Sequence, residues 1–436
     1  MMTYEEALTY IHSVSWMGSR PGLERVRELC DRLGNPQDGL RFVHVAGTNG
    51  KGSTCVMLDA VLRAAGYRTG MFTSPYLWDF RERFMIDGKP ISEELLTACT
   101  EQAAQAARDM SSHPTEFELI TAIGFLCFRK IGCDIVVLET GMGGRLDSTN
   151  IIKSPLLSII TGVALDHMKI LGDTVEKIAA EKAGIIKEGC PVLYGGNTES
   201  VRAIIAQKAQ ACGSPFFCTE PSPLSVREYT ADGTYYDCPE LPKLYVSLAG
   251  TYQRANTATV LRAVSLLRDA GLHITDDDIR RGLGHVYWEG RFERLHTDPD
   301  LFYDGGHNPQ GIAAVAQSIP ACLKTEHVVL VSGVMADKDY RTMIATIAPL
   351  TAHVFTITPN NPRALSAEAY AQAFSDAGVP ATPCADADTA VRLALEEASR
   401  RQIPAFALGS LYMYREIRLA ADAAEKVTAN DTTEKR

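Results

Sequence analysis

The sequence predicts an α/β chain. Its expected form is a parallel-sheet domain built on a phosphate-binding loop (P-loop) and carrying a small β-hairpin region, followed by a second, smaller Rossmann-like α/β domain. Three observations carry this expectation. Short apolar runs alternate with helical periods along most of the 436 residues. The stretch VHVAGTNGKGST, Val43 to Thr54, sets a glycine-rich turn with a lysine between an apolar run and a helix pattern. A second strand and helix series begins after the strand-like stretch Arg291 to Asp304, which places the domains at 1–296 and 297–436.

The elements follow in order. Thr3 and Glu6 form a capping-box pattern ahead of Tyr4, Ala7, Leu8 and Ile11, spaced for an amphipathic helix. A second helix is expected from Pro21 to Gly34, with proline at its start and glycine at its end. FVHVA reads as a short buried strand, STCVMLDAVLRAAG as a helix ended by Gly66, and YRTGMFT as the next strand. Helices at EELLTACTEQAAQAARDM and EFELITAIGFLCFRK, strands at DIVVLET, LLSIIT and PVLYG, and a helix at TVEKIAAEKAG continue the alternation. VREYTADGTYYDC carries an Asp-Gly hairpin signal, and the long helix QRANTATVLRAVSLLRDAG follows it. HVVLVSGV, AHVFTIT and AFALGS are the later strands, and the polar tail EKVTANDTTEKR is expected to fray.

Composition narrows the class. Hydrophobic residues make up 46% and charged residues 22%, as in ordinary globular proteins. The net charge of −10 argues against a general nucleic-acid binder. No apolar run is long enough for a membrane span, and the acidic start MMTYEEALTY lacks a signal-peptide layout, so the expected location is cytoplasmic. The 11 cysteines include no C-x-x-C pair and read as reduced, structural thiols.

The loop carries the first chemistry. Gly47, Thr48, Asn49, Gly50, Lys51, Gly52, Ser53 and Thr54 can turn several backbone N–H groups toward one anion, and the following helix N-terminus adds a favourable field. Lys51 supplies a charge for the outer phosphates, and the hydroxyls of Ser53 and Thr54 suit a magnesium ion or a phosphate oxygen. An extra glycine separates Lys51 from Ser53, a departure from the usual G-K-[ST] ending. The competing reading is a plain structural turn.

Further along, Glu139 ends a buried strand ahead of the glycine turn in LETGMGGRLDSTN. Ligands of open α/β sheets collect at the carboxyl ends of strands, so Glu139 and the loop can share one crevice, with magnesium between carboxylate and phosphates. The alternative is a solvated carboxylate beside an ordinary turn. His167 follows the next strand end, and Lys182 lies on a helix; read singly, each is an ordinary structural or surface residue. A lysine near magnesium becomes sensible if it carries carbon dioxide as a carbamate anion.

In this order the motifs resemble the folylpolyglutamate synthase and dihydrofolate synthase family, a branch of the Mur ligase superfamily. The resemblance runs through HVAGTNGKGST, TSPYL, RERFMIDGKPIS, ETGMGGRLDSTN, ITGVALDHMKILGDTVEKIAAEKAGIIK, WEGRFE, DGGHNP, SGVMADKD and LGSLY, from residue 44 to about 412. It implies ATP-dependent amide bond formation between two domains. A substrate carboxylate takes the γ-phosphate, and the amino group of L-glutamate then displaces phosphate from the acyl phosphate. The substrates would be a folate or dihydropteroate, with no nucleic acid or membrane partner, and the chain would act as a monomer.

Residue by residue, the resemblance puts ATP on residues 47–54, with Lys51 catalytic. Ser74 and Glu139 would bind one magnesium ion, and His167 with Glu139 a second, while Lys182 would be the carbamylated lysine. Asn256, Arg291 and Asp304 would contact the nucleotide, His307 would lie at the reacting centre, and Ser410 near the incoming glutamate. Phe117 in TEFE is a candidate surface beside the pterin, or simply part of a capped helix start. Arg81, Arg83 and Lys169 are candidate cations for the folate carboxylates, or solvated side chains. Gly306, Ser148 and Tyr252 stand where the family commonly has alanine, alanine and histidine.

Two other readings are open. A peptide ligase of cell-wall precursor synthesis shares the loop, the acid and the lysine, but usually carries an extra N-terminal domain for which the roughly 40 residues before the loop are too few. A P-loop kinase or nucleotide switch, or an ATP-binding structural protein, leaves DGGHNP and the second βα series unexplained.

Overall fold

The computed structural model describes residues 2–14, 22–220 and 222–434. The chain divides into two compact units, the first holding residues 1–224 and 255–286, the second 225–254 and 287–436. The hairpin segment, placed in the first domain by the sequence, therefore groups with the second unit. The expected boundary at 296 falls inside it, at the end of a strand.

The first unit is built on an eight-stranded sheet. Its strands are β1 (Phe42–Ala46), β2 (Thr69–Phe72), β3 (Phe84–Ile86), β4 (Lys89–Pro90), β5 (Ile135–Glu139), β6 (Leu157–Ile160), β7 (Val192–Tyr194) and β8 (Phe216–Cys218). They lie in the order β4-β3-β2-β5-β1-β6-β7-β8. All pairings are parallel except the antiparallel edge β2-β3-β4. β1 and β5 are buried along their whole length, as strands covered on both faces must be, which explains their unbroken apolar runs.

Helices cover the sheet, and their ends follow the sequence. Helix Tyr4–Ser13 is closed by the Thr3/Glu6 capping box, with bonds of 2.8 and 3.2 Å. Helix Glu116–Ile131 starts on the Thr115/Glu118 box and stops at Gly132 in the left-handed conformation. A second helix runs Glu24–Arg32; its expected start at Pro21 lies outside the described residues. One core gathers Phe72, Phe84, Phe125, Phe128 and Val136, and another gathers Ala46, Ile160, Ile178, Tyr194 and Ile205.

In the second unit, β9 (Ser225–Thr230), β10 (Gly233–Asp237) and β11 (Leu244–Val246) form an antiparallel sheet. Thr230 pairs with Gly233, so the hairpin turns at Ala231–Asp232 rather than at the Asp-Gly pair itself. The larger sheet holds β12 (Glu293–His296), β13 (Leu301–Asp304), β14 (Val328–Ser332), β15 (Thr351–Thr356), β16 (Ala381–Pro383) and β17 (Ala405–Leu408), in the order β12-β13-β17-β14-β15-β16. Only β12 runs antiparallel. Its core packs Phe292, Phe302, Leu330, Val354, Phe374 and Phe406. The tail expected to fray continues a helix, Tyr414–Glu434.

Candidate active site

The site grows from the carboxyl ends of β1, β5 and β6. β1 and β5 pair in register, Val45 opposite Glu139, so the loop that leaves one strand starts beside the carboxylate that ends the other. That is the crevice where an open α/β sheet binds ligands.

The loop is pinned to the end of β6. The N–H of Thr48 donates to the carbonyl of Gly162 at 2.8 Å, and its hydroxyl donates to the carbonyl of Ala164 at 3.1 Å. The Thr161 hydroxyl donates to the carbonyl of Asn49 at 2.8 Å. These anchors leave no room for side chains at two positions. A Cβ on Gly47 would come within 1.8 Å of Thr161 Oγ1. Gly50 has a φ of 86°, and a Cβ there would stand 2.4 Å from Asn256 Oδ1. Asn256, far off in sequence, is thus brought against the loop.

Helix Lys51–Ala64 begins at this turn with Gly50 as its N-cap. Lys51 Nζ donates to the carbonyl of Thr48 at 3.3 Å and lies 3.7 Å from Glu139 Oε1. Ser74 donates its backbone N–H to Glu139 Oε2 at 3.3 Å. Lys51 and the backbone of Ser74 therefore meet at Glu139. Ser53 and Thr54 are buried at the first helical turn, and Thr54 Oγ1 has no hydrogen-bond partner among the described residues. A buried, unpaired hydroxyl one turn from Lys51 fits the oxygen donors that magnesium takes. No three His, Cys, Asp or Glu side chains converge as a metal cage among the described residues. Such an ion would share its coordination with hydroxyls and phosphates.

Lys182 is not a surface lysine. It is buried, and its Nζ donates to the carbonyl of Gly47 at 2.8 Å. Burial, with the charge of Lys51 second, pulls its pKa down to about 7, against the pull of Asp166 and Asp147. A neutral amine present near neutrality is the form that attacks carbon dioxide, giving up a proton to become the carbamate. His167 sits at φ 49° at the start of the short helix Met168–Leu171, half exposed and 4.0 Å from Asp166.

Three of the residues expected to contact substrate engage neighbours in their own unit. Arg81 grips Asp79 through two nitrogens, at 2.6 and 3.0 Å, and lies 3.6 Å from Glu93. Arg83 stacks over Tyr76 and Phe80, at 5.0 and 5.6 Å. Phe117 packs edge-on against Phe72 and lies under Gly141, where a Cβ would come within 2.4 Å of the ring. It supports the turn after Glu139, a role the sequence did not suggest. Lys169 is exposed on the short helix.

In the second unit, Asp304 ends β13 fully enclosed. Its Oδ2 accepts from the Tyr252 hydroxyl at 2.6 Å and from the Phe292 N–H at 3.0 Å, and its Oδ1 accepts from the Gly306 N–H at 2.8 Å. All three of these donors come from its own chain. Burial pushes its pKa up, and Arg291 acts against that. Arg291 lies alongside Gly305, where a Cβ would come 2.7 Å from its Nη1. His307 Nδ1 is 2.9 Å from the carbonyl of Gly305, so that nitrogen carries the proton. Ser410 is buried and caps the turn Leu411–Met413, its Oγ accepting from the Tyr412 N–H at 3.2 Å. Tyr252 and Thr161 were not foreseen as site residues. Only the departure from histidine marked the first, and nothing local marked the second.

Comparison with known proteins gives the family. Residues 45–212 match the Mur ligase middle domain, and residues 290–406 match the Mur ligase glutamate ligase domain. Dihydrofolate synthase/folylpolyglutamate synthase of Bacillus subtilis is 38% identical over 83% of this chain and 86% of the relative. Folylpolyglutamate synthase of Lacticaseibacillus casei is 36% identical over 85% and 89%. The Mycobacterium tuberculosis folylpolyglutamate synthase complexed with ADP and AMPPCP is 30% identical, covers 97% of this chain and 98% of its own, and superposes with a TM-score of 0.84.

Proposed function

The chain belongs to the folylpolyglutamate synthase and dihydrofolate synthase family of Mur ligases, and from that premise we propose that it joins L-glutamate to a folate, and also to dihydropteroate, at the expense of ATP. The observation that carries the reading is the meeting of Lys51, Glu139 and Lys182 around one phosphate loop, with Lys182 bonded to Gly47.

The chemistry follows from those groups. The loop N–H groups and Lys51 bind and orient the ATP phosphates, and phosphoryl transfer asks a protein for little more than position and charge neutralisation. A carboxylate oxygen of the pterin substrate attacks the γ-phosphorus, ADP leaves, and an acyl phosphate forms. The glutamate amine attacks the acyl carbon, sheds its proton, and inorganic phosphate leaves with one former carboxylate oxygen. Magnesium held by Ser74 and Glu139, with His167 at a second ion, would supply charge for the phosphates. Lys182 would act as its carbamate, which turns a repelling cation into an anion. Asn256 beside the loop, with Arg291 and Asp304, would contact the nucleotide, His307 would lie at the reacting centre, and Ser410 would serve the incoming glutamate.

The test is product identification by mass. Purified protein is given Mg-ATP and L-glutamate with either dihydropteroate or a reduced folate monoglutamate. A product heavier by one glutamyl unit with both acceptors supports the reading. Extension of the folate alone restricts it to polyglutamylation, and no extension of either overturns it.

A further inference from the structure

β1 holds one residue that an apolar strand does not explain. His44 is fully buried, with Nε2 2.9 Å from Thr149 Oγ1, and Nδ1 has no hydrogen-bond partner among the described residues. Thr149 Oγ1 in turn lies 2.6 Å from Asp147 Oδ1. Asp147 also accepts from the N–H of Thr149 at 3.1 Å and from the N–H of Met142 at 2.8 Å.

This geometry places the protons. A hydroxyl has one proton to give, and a carboxylate already taking two N–H bonds is an acceptor. The Thr149 proton therefore goes to Asp147, and the Thr149 oxygen accepts from His44. Nε2 carries the ring proton and Nδ1 is bare. The opposite tautomer would need a protonated Asp147 and would bury an N–H donor with nothing to accept it, the costlier of the two arrangements. Burial, aided by the charge of Lys187, accordingly drives the His44 pKa down to about 3.

We propose that His44 is a positioning residue of the phosphoryl-transfer site, acting as a neutral Nε2–H donor that ties β1 through Thr149 and Asp147 to the loop 140–150. β1 delivers the phosphate loop, and the loop 140–150 begins at Glu139, so the link holds the two halves of the nucleotide site in one relation. Its catalytic part rests on the ligase reading above. Its tautomeric part does not.

Nitrogen-15 NMR of histidine-labelled protein tests the tautomer, with His44→Gln, which lacks the resonance, as the assignment control. The expected result is a protonated Nε2 and a bare, pyridine-type Nδ1 that do not titrate near neutral pH. A protonated Nδ1, or an ordinary histidine titration, overturns the proposal.

Kinetics test the role. His44→Gln keeps an N–H donor and should retain kcat within about threefold, whereas Thr149→Val, which removes the link, should lower kcat by about tenfold with a smaller change in KM for ATP. His44→Leu, which has no donor, should lower kcat as much as Thr149→Val, and the His44→Leu/Thr149→Val double variant should lose no more than either alone, as members of one network do. Unchanged kcat in Thr149→Val, or additive losses, would overturn the positioning role. A native chain without ligase activity would overturn the role together with the functional reading, and the NMR result would still decide the tautomer.

Discussion

Lys182 reaches the phosphate loop from a separate helix: its Nζ donates to the carbonyl of Gly47 at 2.8 Å, deep in the first unit. The bond places an amine against the phosphate-loop backbone, and burial with the charge of Lys51 depresses its pKa to about 7. In the unfolded chain the amine has its ordinary pKa of about 10.4. Between those values the unfolded state binds a proton that the folded state does not, so stability rises with pH over this window. Urea unfolding midpoints should climb from neutral toward alkaline pH, and Lys182→Met should flatten that climb.

Lys51 sits at the first helical turn, 3.7 Å from Glu139 and only 17% exposed at its side chain. Replacing it with methionine should lower kcat/KM for ATP by about 100-fold or more, because the charge on the outer phosphates is lost. Thermal unfolding should move little. A large loss of stability with unaltered kinetics would assign the residue to structure instead.

Two loop glycines and one later glycine should respond differently to alanine. Gly50 needs its positive φ, and its Cβ would collide with Asn256 Oδ1 at 2.4 Å. Gly50→Ala should cost about 1–3 kcal/mol and weaken ATP binding. Gly47→Ala, whose Cβ would stand 1.8 Å from Thr161 Oγ1, should behave likewise. Gly306 has no positive φ, and its Cβ would stand 3.3 Å from Asp304 Oδ1. Gly306→Ala, the family's usual residue, should change stability by less than about 1 kcal/mol in denaturant titrations.

Tyr252 gives Asp304 one of its three hydrogen bonds, at 2.6 Å. Tyr252→Phe should destabilise the chain by about 1–3 kcal/mol, since it leaves a buried carboxylate oxygen with a donor fewer. The loss should shrink as pH falls and Asp304 becomes protonated. Tyr252→His, which restores a donor type common in the family, should recover part of it.

Much of the first unit was legible because its signals are local. Thr3 with Glu6 and Thr115 with Glu118 announce helix starts within a few residues, and both capping boxes form as spaced. Glu139 was legible because it ends an apolar run beside a glycine turn. Lys182 was ambiguous, since a nine-residue helix carries too short a period to fix which face is buried. Arg81 shows the reverse limit. Its partner Asp79 is the N-cap of the short 3-10 helix Phe80–Arg83, two residues away, and the i,i+3 and i,i+4 spacing rules do not say whether such a pair forms or stays solvated. The hairpin's place in the second unit and the Tyr252 to Asp304 bond depend on contacts across more than 50 residues, which periodicity does not encode.

The central claim is that the loop serves a carboxylate that takes the γ-phosphate before glutamate arrives, and isotope transfer tests it most directly. A folate monoglutamate with heavy oxygen in its terminal carboxylate is turned over with Mg-ATP and L-glutamate, and the released phosphate is weighed. One heavy oxygen per phosphate, with ADP formed in step with glutamyl product, is the predicted result. Phosphate free of the label, or ADP formed equally without glutamate and folate, would contradict it and point to phosphoryl transfer to water.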